Sequence, residues 1–436
     1  MSALVLLFLA GTLAALGGVW LKEELSRFGA RLGLFLALVA LFTVPGDSAF
    51  GGLLVFDPFA RVVGGIGIAA ALFASLVSPR VPTHEWHALL AYSAFGVLVM
   101  ASSSNLVVIL LGLELLSLPL YALIALRYDE LGIEAAVKYF VLGAVAAAVF
   151  VLGLALYFGA TGTLSLGASA SGPLFAAGVV LLLAALLFKV AMVPFGWWAP
   201  DVYQGAPTPI TLYMAAGVKA PAFAALLKLL QGAGLGGVWA AALAFSVLLA
   251  VVFGNLAALA QSEAKRLLAY SAIAHAGYLA LALFGPEPAP ALGYYLVAYG
   301  LSVALAFLVL AQLDRGEGVP LEDLSGLIKR SPLLAGALLL ALFSLAGVPP
   351  FVGFWGKYLA FFQAAQGGQY LLVVVALLTA VVAAYYYLRL AAFAFFLPPK
   401  EKGALAVDPL VAFLVGLLAF LVVALGFFPG ALAALF

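Results

Sequence analysis

Apolar runs of about 20 residues follow one another along almost the whole chain, each long enough to cross a hydrocarbon core roughly 30 Å thick. A backbone in lipid must satisfy its own polar groups, so such runs fold as helices. Water is not the main solvent here: 8% of the 436 residues are charged, against roughly 25% in soluble domains. No stretch reads as a separate soluble domain. The first run, Leu4 to Trp20, lacks the basic flank and small-residue cleavage site of a signal peptide and is expected to remain as a helix.

Fourteen runs are placed, near 3–20, 32–44, 58–78, 88–102, 105–126, 134–158, 173–195, 208–231, 237–262, 265–285, 290–313, 333–366, 370–397 and 409–434. The twelfth is too long for one straight span, and Gly347, Pro349 and Pro350 are expected to break it. The expected fold is all-α: a polytopic membrane protein of about 14 transmembrane helices.

The basic residues test this count. Loops after odd-numbered runs hold Lys22, Arg27, Arg31, Arg80, Arg127, Lys265, Arg266, Arg315, Lys329, Arg330, Lys400 and Lys402, twelve of the 19. The other seven lie inside runs, and loops after even-numbered runs hold none. A miscounted helix would scatter these charges over both sides. By the positive-inside rule the basic loops are cytoplasmic and both termini face outside.

An internal repeat is visible. Leu187-Phe188-x-x-Ala191-x-Val193-Pro194 returns as Leu342-Phe343-x-x-Ala346-x-Val348-Pro349, in runs of opposite direction. Similar proline-broken segments in oppositely directed helices mark an inverted-topology repeat. The expected organisation is flanking helices 1–3 over residues 1–86, a first five-helix unit (helices 4–8) over 87–231, an inverted second unit (helices 9–13) over 237–397, and helix 14 over 409–436, with helices 7 and 12 broken.

Several chemistries are excluded. The chain has no cysteine, so it holds no thiolate-ligated cluster and no disulfide. Its three histidines, His84, His87 and His275, show no metal-ligand spacing within a helix; the first two are expected in an interfacial turn beside Glu85. No glycine-rich loop follows a strand, and no basic stretch accompanies the net charge of +1, so neither nucleotide nor nucleic acid is expected.

What remains is a set of charges inside the runs. A charge at the bilayer centre costs at least about 2.5–3.5 kcal/mol on insertion scales. Glu114, Lys189, Lys219, His275 and Lys357 are the candidates. Desolvation favours the neutral form of a buried lysine, and a nearby carboxylate opposes that effect. A Glu–Lys pair therefore works as a switch set by the next charge along, and histidine serves as a relay with little tuning. Ser117, Tyr121, Ser271, Tyr278 and Ser344 are placed to extend a hydrogen-bonded path. Buried ion pairs also fix helix packing. Lys228 is expected to snorkel to the interface; Arg61 and Arg389 are expected to do so too, or to pair with Asp57 and Asp408. Lys138 reads as the i,i+4 partner of Glu134.

At these residues the chain resembles a known family. LELLSLPLYAL, EAAVKYFVLGA, VPFGWWAPDVYQGAPTPIT, KRLLAYSAIAHAGY and SLAGVPPFVGFWGKY are similar, in order, to the antiporter-like membrane subunits of respiratory complex I, the NADH–quinone oxidoreductase. The likeness runs from about Asp57 to the FFPG near the C-terminus. It implies two inverted five-helix repeats with broken helices 7 and 12. It also implies a proton relay of Glu114, Lys189, Lys219, His275 and Lys357, coupled to quinone reduction in partner subunits. Lys357 in GFWGKY marks the branch with a lysine there; a sister branch has a glutamate. Another branch adds a long lateral helix after its last common span, where this sequence ends at Phe436. No cofactor is implied for this chain; FMN, Fe–S clusters and quinone are implied for partners, which include other membrane-arm and antiporter-like subunits. The implied location is the bacterial inner membrane, with no soluble substrate bound directly. The alternative is a subunit of a multi-subunit cation/proton antiporter. One departure stands out: the family commonly has a histidine where this chain has Gly196.

Overall fold

The computed structural model describes residues 1–20, 23–46, 48–78, 84–316, 318–401 and 403–436, with the side chains of 19, 20 and 84 left aside. Lys22, Arg80 and Lys402 of the basic-loop tally lie outside the described residues. The chain divides into two compact units: unit 1 comprises Met1–Val190 and Ala216–Ala244, unit 2 comprises Ala191–Ala215 and Phe245–Phe436.

Unit 1 contains α1 (Ser2–Trp20), α2 (Glu23–Thr43), a short antiparallel hairpin of β1 (Ser48–Ala49) and β2 (Leu54–Val55), α3 (Pro58–Leu76), α4 (His84–Ser102), α5 (Leu106–Ala125), α6 (Glu130–Thr161) and α7 (Pro173–Lys189). The chain then forms α8 (Trp198–Gly205) and α9 (Thr208–Tyr213) in unit 2, a π-turn over Met214–Val218, and α10 (Lys219–Ala233), which belongs to unit 1. Next comes α11 (Val238–Leu259). Unit 2 continues with α12 (Ala264–Leu281), α13 (Pro288–Leu313), α14 (Leu327–Arg330), α15 (Pro332–Ala346), α16 (Val352–Gln366), α17 (Tyr370–Phe396), α18 (Pro409–Phe427) and α19 (Pro429–Ala433). Among the described residues, ten helices are long and apolar enough to cross a membrane, and three shorter apolar ones, Ser2–Gly18, Pro173–Lys189 and Pro332–Ala346, accompany them.

Helix starts follow their capping chemistry. Asp57 accepts from the Ala60 amide and Asp408 from the Leu410 amide, each just before a proline that opens its helix. Asn105 caps α5, and Asp129 caps α6, which ends on Gly162 in the left-handed region. Helix association in lipid relies on close packing of small residues. α4 and α5 show why: a Cβ at Gly96 would lie 2.4 Å from the Leu116 amide, and one at Gly112 would lie 2.7 Å from that of Met100.

Four boundaries correct the sequence reading. The second helix starts at Glu23 and not near 32, because two glutamates in its first turn suit the positive helix end and Glu23 reaches Arg27 at 3.9 Å. Arg27 and Arg31 are therefore helical. The fourth helix starts at His84, so His84 and His87 are not in a turn; His87 is buried, with Nδ1 2.9 Å from Ser75 Oγ. The last long helix stops at Phe427, ahead of Pro429. The seventh ends at Lys189, six residues short of the expected 195.

Both expected breaks are present. After α7, Ala191 takes a positive φ and the Val193–Pro194 bond is cis. After α15, Gly347 caps in the left-handed region and the Pro349–Pro350 bond is cis. The two matched sequence segments thus each end a helix. Ser344 Oγ sits 2.7 Å from Ser302 Oγ and accepts from the Gly353 amide at 3.0 Å, stapling α15 to α16. Ser344 serves the break itself.

Candidate functional site

In unit 1, α5 carries Glu114 and Ser117 one turn apart, and α7 delivers Lys189 at its last residue. A cation is favoured there by the negative end of the helix dipole. Lys189 is buried, and its Nζ donates to Ser117 Oγ at 2.7 Å and to Tyr139 Oη of α6 at 2.9 Å. Ser117 in turn donates to the Leu113 carbonyl at 2.5 Å. Glu114 is half-buried and within electrostatic reach of Lys189. The ammonium is thus held by two hydroxyls, with the carboxylate in the next position out. Lys219, also buried, opens α10 directly after the π-turn; such turns recur at functional positions in helices.

In unit 2, His275 stands near the middle of α12, buried, with both ring nitrogens engaged. Nδ1 is 2.9 Å from Tyr295 Oη and Nε2 is 3.2 Å from Tyr387 Oη. Tyr387 Oη lies 2.5 Å from Ser271 Oγ. A histidine between two hydroxyls can take a proton on one nitrogen and release it from the other. One turn on, Tyr278 Oη accepts from Asn255 Nδ2 at 2.8 Å and lies 3.2 Å from Thr379 Oγ1, while Tyr386 donates to Asn255 Oδ1 at 3.0 Å. The Lys357 ammonium rests 5.0 Å from the centre of the Tyr278 ring and donates to the Ala346 carbonyl at 2.9 Å. Ala346 is the last residue of α15, so the break supplies the ligand.

The structure therefore brings Glu114 and Lys189 together in unit 1, and His275 and Lys357 around Tyr278 in unit 2. Tyr139, Tyr295, Tyr387 and Asn255 were not singled out in the sequence. Asn255 left a signal: it is one of two asparagines in the chain and lies inside an apolar run. The tyrosines left none, because lipid-facing tyrosines occur in the same runs.

Three of the other charges inside runs, Lys228, Arg389 and Arg61, are held by backbone carbonyls. Lys228 does not snorkel; its Nζ donates to the carbonyls of Ala101 and Ser103, at 2.7 and 2.9 Å, where α4 ends. Arg389 donates to the Leu259 and Gln261 carbonyls at the end of α11, not to Asp408. Arg61 donates to the carbonyls of Phe56, Leu41 and Gly46. Asp57 and Asp408, the expected partners, are spent as helix caps. Lys138 and Glu134 pair at 2.5 Å as expected. Gly196 has a physical reason: a Cβ there would lie 2.2 Å from the Ala191 carbonyl oxygen, so no imidazole is accommodated on this backbone.

Buried lysines stationed at two helix breaks, each beside hydroxyls or an aromatic face, define a broken-helix membrane protein built to move charge. The family described as NADH:quinone oxidoreductase/Mrp antiporter, TM, matches residues 103–383. NADH-quinone oxidoreductase subunit 14 of Thermus thermophilus is 48% identical over 370 residues, covering 85% of this chain and 84% of that protein. A chain of respiratory complex I from Thermus thermophilus, solved with bound aureothin, superposes with a TM-score of 0.93 at 47% identity, covering 99% of this chain and 98% of that one. A chain of the Mrp complex from Dietzia shares the fold, with a TM-score of 0.87 at 21% identity over 100% of this chain and 96% of the other. The chain belongs to the NADH:quinone oxidoreductase/Mrp antiporter transmembrane family.

Proposed function

We propose that this chain is a proton-translocating antiporter-like subunit of an NADH–quinone oxidoreductase, in the place that subunits named N or 14 hold in its relatives. The observation that carries the reading is the buried Lys189 ammonium, held by Ser117 and Tyr139 within reach of Glu114. Quinone reduction in a partner alters the charge near Glu114. Lys189 and Lys219 respond by exchanging protons, His275 relays, and Lys357 releases. Helices 4–8 and 9–13 act as inverted repeats. FMN, Fe–S clusters and quinone belong to partner subunits, and neighbouring antiporter-like subunits complete the membrane arm. The site is the bacterial inner membrane, with the basic loops cytoplasmic and both termini outside.

The test is to tag the chain, extract it in mild detergent and record flavin and EPR spectra with NADH-dependent quinone reduction. Co-purifying redox centres support the reading; membrane subunits alone, without redox centres, overturn it. In the active complex Lys219→Ala is expected to lower coupled turnover and the proton-to-electron ratio, and unchanged values remove Lys219 from the relay. A cation/proton antiporter is the second reading, because the matching family includes Mrp proteins. NADH-independent ion exchange would favour it.

A further inference from the structure

Among the basic residues expected in loops, Lys265 departs furthest from that setting. It is 0% exposed at the start of α12 and its ammonium lies 3.4 Å from Asp314 Oδ2. It also donates to the Ala206 carbonyl at 2.7 Å, at the end of α8. Asp314, 10% exposed, accepts from Thr208 Oγ1 and, at 2.9 Å, from the Gly316 amide. Next to this pair, Arg266 and Asp201 meet at 2.5 Å with side chains 30% and 35% exposed, and Gln204 accepts from Arg266 at 3.2 Å. Polar groups thus descend from a half-open rim, through Asp314, to a sealed lysine, all within unit 2.

Three residues before the Ala206 carbonyl that Lys265 holds, α8 carries Tyr203. Thr211 donates to the Tyr203 carbonyl at 3.0 Å, and buried Tyr203 is within electrostatic reach of Tyr299. The Tyr299 ring is centred 5.0 Å from that of His275, and its hydroxyl is buried without a protein hydrogen bond. Buried polar groups of this kind are commonly satisfied by water.

We propose that Lys265 and Asp314 form the proton-uptake pair of unit 2, feeding His275 by way of Tyr203 and Tyr299 from the end that carries the basic loops. The Lys265 ammonium gives a proton inward to a water-bridged hydroxyl and becomes a neutral amine. Asp314, having taken a proton from solvent, returns it to that amine, and the ion pair reforms. Among the described residues, Glu263 is within electrostatic reach of Lys265, Arg266 follows Lys265 in the chain and holds Asp201 of α8, and Arg315 follows Asp314. A clamp would need only the hydrogen bonds to Ala206 and Thr208; proton exchange also needs groups that titrate.

This inference rests on the proton-pumping reading above, so both are tested in the same assembled complex. The double variant Lys265→Gln/Asp314→Asn keeps hydrogen-bonding groups but removes both titratable ones. It is expected to assemble, to oxidise NADH normally with a soluble acceptor that bypasses quinone, and to lose about tenfold or more in coupled turnover and proton uptake. Wild-type proton uptake in this variant would overturn the proposal. If the double variant fails to assemble, Lys265→Arg decides, since it retains the ion pair but does not release a proton. Wild-type coupled turnover there overturns the proposal, and a similar tenfold loss with normal assembly supports it. Lys219→Ala in the same assay separates the two failures: loss there with none at Lys265 and Asp314 refutes only the uptake pair.

Discussion

Charge placement at the residue level follows one pattern in both units. Arg31, Arg61, Lys228, Lys265, Lys357 and Arg389 all donate to backbone carbonyls at or beside helix C-termini, where four carbonyls lack partners. Sequence placed Arg61, Lys228, Lys357 and Arg389 inside apolar runs, and Arg31 and Lys265 in loops, but showed none of these partners. A carboxylate is visible as a letter, whereas an unpaired carbonyl depends on where a distant helix stops. Lys189 is the contrasting case, held by side-chain hydroxyls. Tyr139→Phe removes one hydrogen bond to a charged group, worth about 1.5–3 kcal/mol. The chain is expected to fold and assemble, with coupled turnover reduced, and Ser117→Ala/Tyr139→Phe is expected to lose more than either single change. Gly196→His forces a side chain against the Ala191 carbonyl. Thermal unfolding of the complex should show a loss of about 1–3 kcal/mol or more, and no gain in turnover.

At the scale of elements, the length of the apolar runs and proline placed most spans and both breaks. The start of α2 was misplaced because charged residues there read as loop, yet glutamates at a helix start and an i,i+4 arginine belong to a helix. The loops of unit 2 are tied by ion pairs: Arg315 and Arg330 meet Glu401 at 2.5 and 2.8 Å, and Lys400 meets Asp323 at 2.7 Å. These residues line a cavity of about 430 Å³. The bond from Arg315 holds the Glu401 carboxyl below its usual range. A carboxylate lowered in the folded state stabilises above the unfolded value and loses that contribution as pH falls through the folded one. The Leu405 amide, bonded to the Arg330 carbonyl at 2.9 Å, is therefore expected to lose exchange protection on acidification below about pH 4 and not between pH 6 and 8. Unchanged protection across the acid range would show that this strap does not depend on Glu401.

For the whole molecule, fold class and family were legible because lipid allows so few backbone solutions and because long motifs recur in order. The uptake pair was not: Lys265 sits among the basic residues that mark the loops, and only packing shows it sealed. Reconstituted alone in liposomes, the chain is expected to show no NADH-independent sodium–proton exchange, read with a pH-sensitive dye under an imposed sodium gradient; robust exchange would return it to the antiporter branch.

The Ala346 carbonyl under Lys357 has one more consequence. An ammonium bound to a carboxylate gives up an ion pair when it releases its proton. An amine bound to a carbonyl does not: with two N–H groups left, it donates to the same oxygen as before. Lys357 can therefore change its charge while its anchor stays made, so that discharge and geometry are separable at the break in this helix.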